Sequence, residues 1–415
     1  MSKASTPVVA PVHPEKNDIL HLRDFQYLLA ARLCNALGGM GFATVIGYQL
    51  YMLTKDPLSL GWLGLVQAIP ALSLSLLGGH IADRGDRKRI VLTTAGGEVI
   101  CMLLLLVIAL NVERFGVVAI YAVVFLIGIA SGFLRPASSA FEQQVIPLEH
   151  AARGSSWMSS VWQFGAITGG PLAGVAIDRL GIPTTYLIIA VLMALALCFL
   201  ALIPRKPIQP TVEGETLGES LRMGVKYVFA SQALVGSMAL DLFAVLFGGA
   251  MALLPVFATD ILHVGATGLG IMRTAPSIGA LLVMLIATRR PPTGHAGRNL
   301  LLCVGGFGIS MIVFGLSQNF ILSLVALCFS GIFDGVSMII RDVVMRVLSP
   351  EHMRGRIASV SWVFIGASNE LGATESGIAA RFLGTGPSVF WGGCVTMLVV
   401  ATVALTLPKL RELKL

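Results

Sequence analysis

Runs of about 20 residues without Asp, Glu, Lys or Arg recur along this chain, and they constrain its fold more than any other feature. The clearest are Leu58 to Ala82, Tyr186 to Ile203, Asn299 to Leu324 and Pro387 to Pro408. A helix needs about 20 mostly apolar residues to cross a hydrocarbon core of about 30 Å. Soluble domains do not carry so much apolar sequence, and here 55% of 415 residues are hydrophobic. The chain is expected to sit in a bilayer as all-α structure. Open backbone groups are not tolerated in lipid, and the strands of a barrel would alternate with period two.

Charge, Pro and Gly divide the sequence into twelve spans, at roughly 26–53, 58–82, 90–111, 116–146, 155–178, 184–203, 229–259, 266–288, 298–317, 319–348, 357–380 and 387–407. The polar, proline-bearing start lacks the apolar core of a cleaved signal peptide. The six cysteines all fall in apolar stretches without a CxxC pair, which indicates neither a disulfide framework nor a metal site.

The net charge of +7 is placed by topology. With both termini cytoplasmic, the tails and inner loops hold 21 of the 29 Lys and Arg residues and the outer loops four: Lys55, Arg114, Arg179 and Arg381. That is the positive-inside pattern, and it accounts for the basic charge without nucleic acid.

The chain repeats itself. The stretch from Ser131, "SGFLRPASSAFEQQVIPLEHAARGSSWMSSVWQFG", lies over "SGIFDGVSMIIRDVVMRVLSPEHMRGRIASVSWVFIG" from Ser330, and "GVAIDRLG" from Gly174 over "GIAARFLG" from Gly377. The fourth and fifth spans thus correspond to the tenth and eleventh. The expected organisation is a tail (1–24), a six-helix bundle (25–203), a cytoplasmic linker (204–228), a second six-helix bundle (229–407) and a short tail (408–415). A binding cavity is expected between the bundles near mid-membrane.

Ionisable groups in lipid cost at least about 2.5 kcal/mol and usually face the bundle interior or water. Here they are Arg32, Glu98, Arg135, Glu142, Asp241, Arg273, Asp334, Arg341, Asp342, Glu370 and Glu375. Arg32 is near enough to a span end to snorkel. Arg341, Asp342 and Arg346 suit an ion-pair cluster at a helix end. Arg135 and Asp334 share a repeat position with opposite charge, either as a cavity pair or as a lock between bundles. Asp241, between "GSMAL" and "LFAVL", has no opposite charge within a turn or two, which makes it a candidate proton carrier. Glu370 and Glu375 stand five residues apart, about 140° on a helix, so they cannot face one cavity equally. "GGAMALLP" (248–255) is a candidate hinge in span seven.

Residues 83–89, "DRGDRKR", pack six charges between spans two and three. "GGHIADRGDRKR" resembles the loop signature of the major facilitator superfamily, which Gly79, Asp83, Arg84, Arg87 and Lys88 match and from which Asp86 departs, as in drug and siderophore exporters of that superfamily. The stretches 241–262, 268–282 and 353–377 are similar to the bacterial enterobactin exporters and related drug:proton antiporters, although Ala373 replaces an acidic residue often found after "NELG". The resemblance covers about 25 to 405. It implies two pseudo-symmetric six-helix bundles, the major facilitator fold, with the 83–89 loop as a cytoplasmic latch.

The resulting expectation is a multi-pass protein of a bacterial inner membrane, monomeric, that exports an amphipathic small molecule in exchange for protons by alternating access. It would use the proton gradient and no cofactor. Asp241 with Glu370 or Glu375 would bind protons, and Arg135 and Asp334 would line the cavity. A facilitator, importer or lipid flippase of the same fold is the alternative, followed by a non-transporting membrane sensor. An enzyme is not expected: the chain has no nucleotide loop, metal cluster or serine elbow, and "GLGIMRTAPSIG" lies in a hydrophobic span.

Overall fold

A computed structural model describes residues 19–207, 223, 225–229, 231–248, 250–287, 289, 294–350 and 354–413. Most of the expected N-terminal tail, most of the expected linker, and the Asp83 side chain lie outside the described residues.

The first six spans form helices α1 (Arg23–Thr54), α2 (Pro57–Arg84), α3 (Arg87–Leu110), α4 (Val112–Val145), α5 (Ala151–Leu180) and α6 (Ile182–Leu202). Polar side chains mark where helices begin. Asp56 accepts from the Leu58 N–H at 3.0 Å to start α2, and Asp86 accepts from the Arg89 N–H at 3.2 Å to start α3.

The second six are α7 (Gln232–Phe247), α8 (Gly265–Ala287), α9 (Ala296–Leu316), α10 (Phe320–Leu348), α11 (Arg354–Leu383) and α12 (Thr385–Thr406). Span seven is broken at the expected place. After Gly248 it continues as a 3-10 turn (Ala250–Leu253), one α-helical turn (Leu254–Val256) and a wide π turn (Phe257–Ile261). Pro255, which has no backbone N–H to donate, and Gly248 are the cause.

Helices α1 to α6 pack together, as do α7 to α12, and the two bundles meet along α2–α11 and α5–α8. We call the end with the 83–89 loop the basic end and the other the far end. Each bundle has one apolar core toward each end. In the first these centre on Phe25, Val91, Phe141 and Leu200, and on Val45, Met102, Leu105 and Tyr186. In the second they centre on Leu240, Leu300, Ile340 and Val344, and on Leu253, Phe257, Met272 and Phe314.

The outward faces are as apolar as the cores. Ile100 and Val107 of α3, Val191 and Leu195 of α6, Leu302 and Ile309 of α9, and Leu398 and Leu405 of α12 are all exposed. Such faces match hydrocarbon, and in water they would associate. Among the described residues, ten of the twelve spans are long and apolar enough to cross a membrane by length and composition, the seventh of them only together with its broken continuation, as Leu234–Ile261. The two that are not, α5 and α11, both lie on seams between the bundles, where polar residues meet protein instead of lipid.

Glycine makes the seams close. A Cβ on Gly170 of α5 would stand 3.0 Å from the Gly270 carbonyl oxygen of α8. One on Gly377 of α11 would stand 3.0 Å from the Gly61 Cα of α2. Backbone touches backbone on both seams, which only residues without side chains permit.

Candidate functional site

The seams are bonded toward the far end. Asp178, at the end of α5, accepts hydrogen bonds from the Ala266 N–H (3.3 Å), the Thr267 N–H (2.8 Å) and the Thr267 hydroxyl (2.6 Å) at the start of α8. It caps a helix of the other bundle, where the positive end of the helix dipole favours a carboxylate. Across the pseudo-two-fold, Arg381 at the end of α11 pairs with Asp56 at the start of α2, 3.2 Å. Between these contacts, the Tyr51 hydroxyl donates to Asp260 at 2.5 Å and Lys55 lies 3.7 Å from the same carboxylate. Among the described residues the bonds joining the bundles on the α5–α8 seam run from this end to Gln163 Nε2, which donates to the Ser277 carbonyl at 2.7 Å.

At the basic end the loop residues bond within the first half of the chain. Lys88 donates to the carbonyls of Ala201 (2.8 Å) and Ile203 (2.5 Å), Arg87 to those of Ala82 (3.2 Å) and Ala140 (3.3 Å), and Asp86 pairs with Arg205 at 3.8 Å. Arg84 is exposed. Gly79 is not crowded, since a Cβ there would meet nothing within 4 Å.

One ion pair ties inner helices together inside each bundle. In the first, Arg32 of α1 lies 3.4 Å from Glu142 of α4 and stacks over the Trp162 ring of α5 at 4.9 Å. It is held by that pair rather than snorkelling. In the second, Asp241 of α7 pairs directly with Arg341 of α10, whose other nitrogen is 3.7 Å from Asp334. The sequence neighbourhood of Asp241 shows no cation because its partner is a hundred residues away. Arg341 correspondingly turns inward, while Asp342 and Arg346 are exposed, with Asp342 still within electrostatic reach of both arginines. Asp241, Asp334 and Ser337 line a narrow cleft with Cys303 and Phe307 of α9.

These pairs are mirror images in sign. Arg32 and Asp241 each stand nine residues beyond the first residue of their helix. Glu142 and Arg341 are equivalent in the Ser131 and Ser330 repeats, as are Arg135 and Asp334, and Asp178 matches Arg381 in "GVAIDRLG" and "GIAARFLG". At all four repeat positions one half carries a cation and the other an anion.

A third cluster crosses between the bundles. Glu98 of α3 accepts from the Ser131 hydroxyl at 3.2 Å, and Arg135, one turn further along α4, lies close enough to act electrostatically on both Glu98 and Glu370 of α11. Glu370 reaches α2, where a Cβ on Gly64 would stand 2.9 Å from its Oε2. Glu375 is half-buried and takes no part in this cluster, as the five-residue spacing requires. The structure therefore groups Asp241 with Asp334, and Arg135 with Glu370, as two separate sites. It adds Asp56, Asp178 and Asp260, none of which the sequence reading singled out. Only Asp178 had a signal there, in its match with Arg381 in the two octapeptides.

Residues 28–372 match the family model described as the Major Facilitator Superfamily. The enterobactin exporter EntS of Shigella boydii serotype 18 is 24% identical over 397 residues, covering 94% of this chain and 93% of the relative. EntS of Escherichia coli O139:H28 matches to the same extent. Among solved structures, a peptide transporter POT in complex with sulfate superposes with a TM-score of 0.75 at 14% identity, covering 97% of both chains. A bacterial homologue of the lysosomal transporter Spinster, in an inward-facing and unoccupied conformation, gives 0.69 at 14% identity, covering 94% of this chain and 97% of the other. The likeness of the solved structures is one of fold, and the family model spans most of the chain. This protein belongs to the Major Facilitator Superfamily and is a multi-pass membrane transporter.

Proposed function

We propose that the transporter exports an amphipathic small molecule in exchange for protons across a bacterial inner membrane, as a monomer with both termini in the cytoplasm. The observation that carries the coupling is the Asp241–Arg341–Asp334 cluster. Two carboxylates share one guanidinium within the membrane, so the cluster holds one negative charge more than it can neutralise. A proton is the counter-charge such a site takes up. Protonating Asp241 weakens its hold on Arg341, which leaves α7 and α10 free to move apart.

The bonded far end and the Lys and Arg distribution support a state open to the cytoplasm. The other state requires the basic halves of the bundles to close. Closure about a two-fold brings equivalent positions together, and here those positions carry opposite charge: Arg32 meets Asp241 and Glu142 meets Arg341. The 83–89 loop, with Gly79, Asp83, Arg84, Arg87 and Lys88, latches that state. The names of the curated relatives favour export and a substrate of siderophore or drug type.

The test is uptake into inside-out vesicles with and without an acid-inside pH gradient, beside Asp241→Asn. Wild type is expected to accumulate substrate only with the gradient, and the variant to lose that dependence. Uptake indifferent to the gradient would replace exchange by facilitated movement. Normal gradient-driven uptake by Asp241→Asn would make Asp241 structural.

A further inference from the structure

Arg273 of α8 stands apart from the other cations in the spans. Arg32 has Glu142, Arg341 has two aspartates, and Arg135 has the fields of Glu98 and Glu370. Arg273 makes no ion pair among the described residues, and its Nε is buried with no hydrogen-bond partner. It lies midway along the α5–α8 seam, one turn from the Gly170–Gly270 contact and beside Thr274, whose hydroxyl donates to the Ile167 carbonyl at 2.8 Å. Its guanidinium points at α1, where a Cβ on Gly47 would stand 3.4 Å from Nη2 and 3.4 Å from Pro255 Cγ. The charge thus sits where α1, α5, α8 and the broken part of α7 converge. The residue is half-buried, and it stands on the seam between the two bundles.

Two features separate it from a structural ion. The repeat aligns "LGLVQAIP" (63–70) with "LGIMRTAP" (269–276), which puts neutral Gln67 where Arg273 stands. The pattern of opposed charges therefore gives Arg273 no counterpart in the first half. Moreover, arginine cannot shed its proton to escape the cost of a membrane interior, so an anion must supply what the protein does not. A guanidinium presents a planar fork that fits a carboxylate through two parallel hydrogen bonds.

From this geometry we infer that Arg273 is the receptor for an acidic group on the carried molecule, making the substrate an amphipathic organic anion. The inference rests on the transport reading and specifies the charge of what is moved. An inorganic anion has the same chemistry at the guanidinium, so the test separates the two sources.

The measurement is the thermal unfolding midpoint of the purified full-length protein at constant ionic strength, titrated with sodium benzoate, benzamide, benzylammonium chloride or sodium chloride alone. Wild type and Arg273→Gln are compared. Benzoate is expected to raise the wild-type midpoint by at least about 2 °C and to leave Arg273→Gln unmoved, with benzamide and benzylammonium inert on both. Without any ligand, Arg273→Gln is expected to be at least as stable as wild type, because it removes an unpaired charge whose Nε is buried without a hydrogen-bond partner. Equal benzoate shifts in the two proteins, chloride matching benzoate, or an Arg273→Gln protein that is less stable without ligand would each overturn the site. The vesicle experiment with Asp241→Asn is independent. Gradient-driven uptake without an Arg273-dependent benzoate shift sinks only the anion site, whereas the shift without any uptake sinks only the transport reading.

Discussion

Asp241 and Arg341 give the sharpest test at the scale of single residues. Removing one member of a buried pair leaves the other charge without compensation, which costs about 3–5 kcal/mol where nothing replaces it. Asp334 is close enough to Arg341 to take part of that load, so Asp241→Leu is expected to cost less than Arg341→Leu, which strands two carboxylates. Thermal unfolding of the two variants in the same detergent gives the order. The exchange Asp241→Arg with Arg341→Asp should recover most of what either single change loses. Recovery by the exchange identifies the pair itself as the source of the loss. The sequence displayed both residues as intramembrane charges but gave no sign that they were partners, because pairing across a bundle depends on helix packing and not on spacing along one helix.

At the scale of elements, the α5–α8 seam makes a prediction about which way the molecule leans. Asp178 gives α8 a cap that its own sequence lacks, through three hydrogen bonds from the other bundle. Hydrogen bonds to a charged group are worth about 1.5–3 kcal/mol. Asp178→Ala should therefore shift the balance toward a far-end-open state by about tenfold or more, read as faster labelling of a cysteine at Thr267 by an impermeant maleimide. Gly270→Leu acts on the same seam by volume, since its side chain would enter the Gly170 backbone, and should raise labelling in the same way. The spans themselves were legible as apolar runs, and their observed ends fall within a few residues of the expected ones. The break in span seven was legible too, from Gly248 and Pro255. Helices α5 and α11 do not qualify as spans by hydropathy alone, and their bounding charges, Pro and Gly placed them instead.

For the whole molecule, the repeat was readable and the reversal of charge within it was only partly so. Arg135 against Asp334, Glu142 against Arg341 and Asp178 against Arg381 stand opposed in the aligned repeats, whereas the match of Arg32 with Asp241 needed the starts of α1 and α7 to become comparable. Co-expression of the two halves, cut within 208–222, is expected to restore gradient-dependent uptake, because each bundle has its own apolar cores. Two copies of the first half should not, however well each folds. Their axis would set Arg32 against Arg32 and Glu142 against Glu142. The two halves share a backbone plan but are related as a key is to its lock: the repeat supplies the shape, and on the proposed closure the opposed signs at four positions would let each half recognise the other and refuse itself.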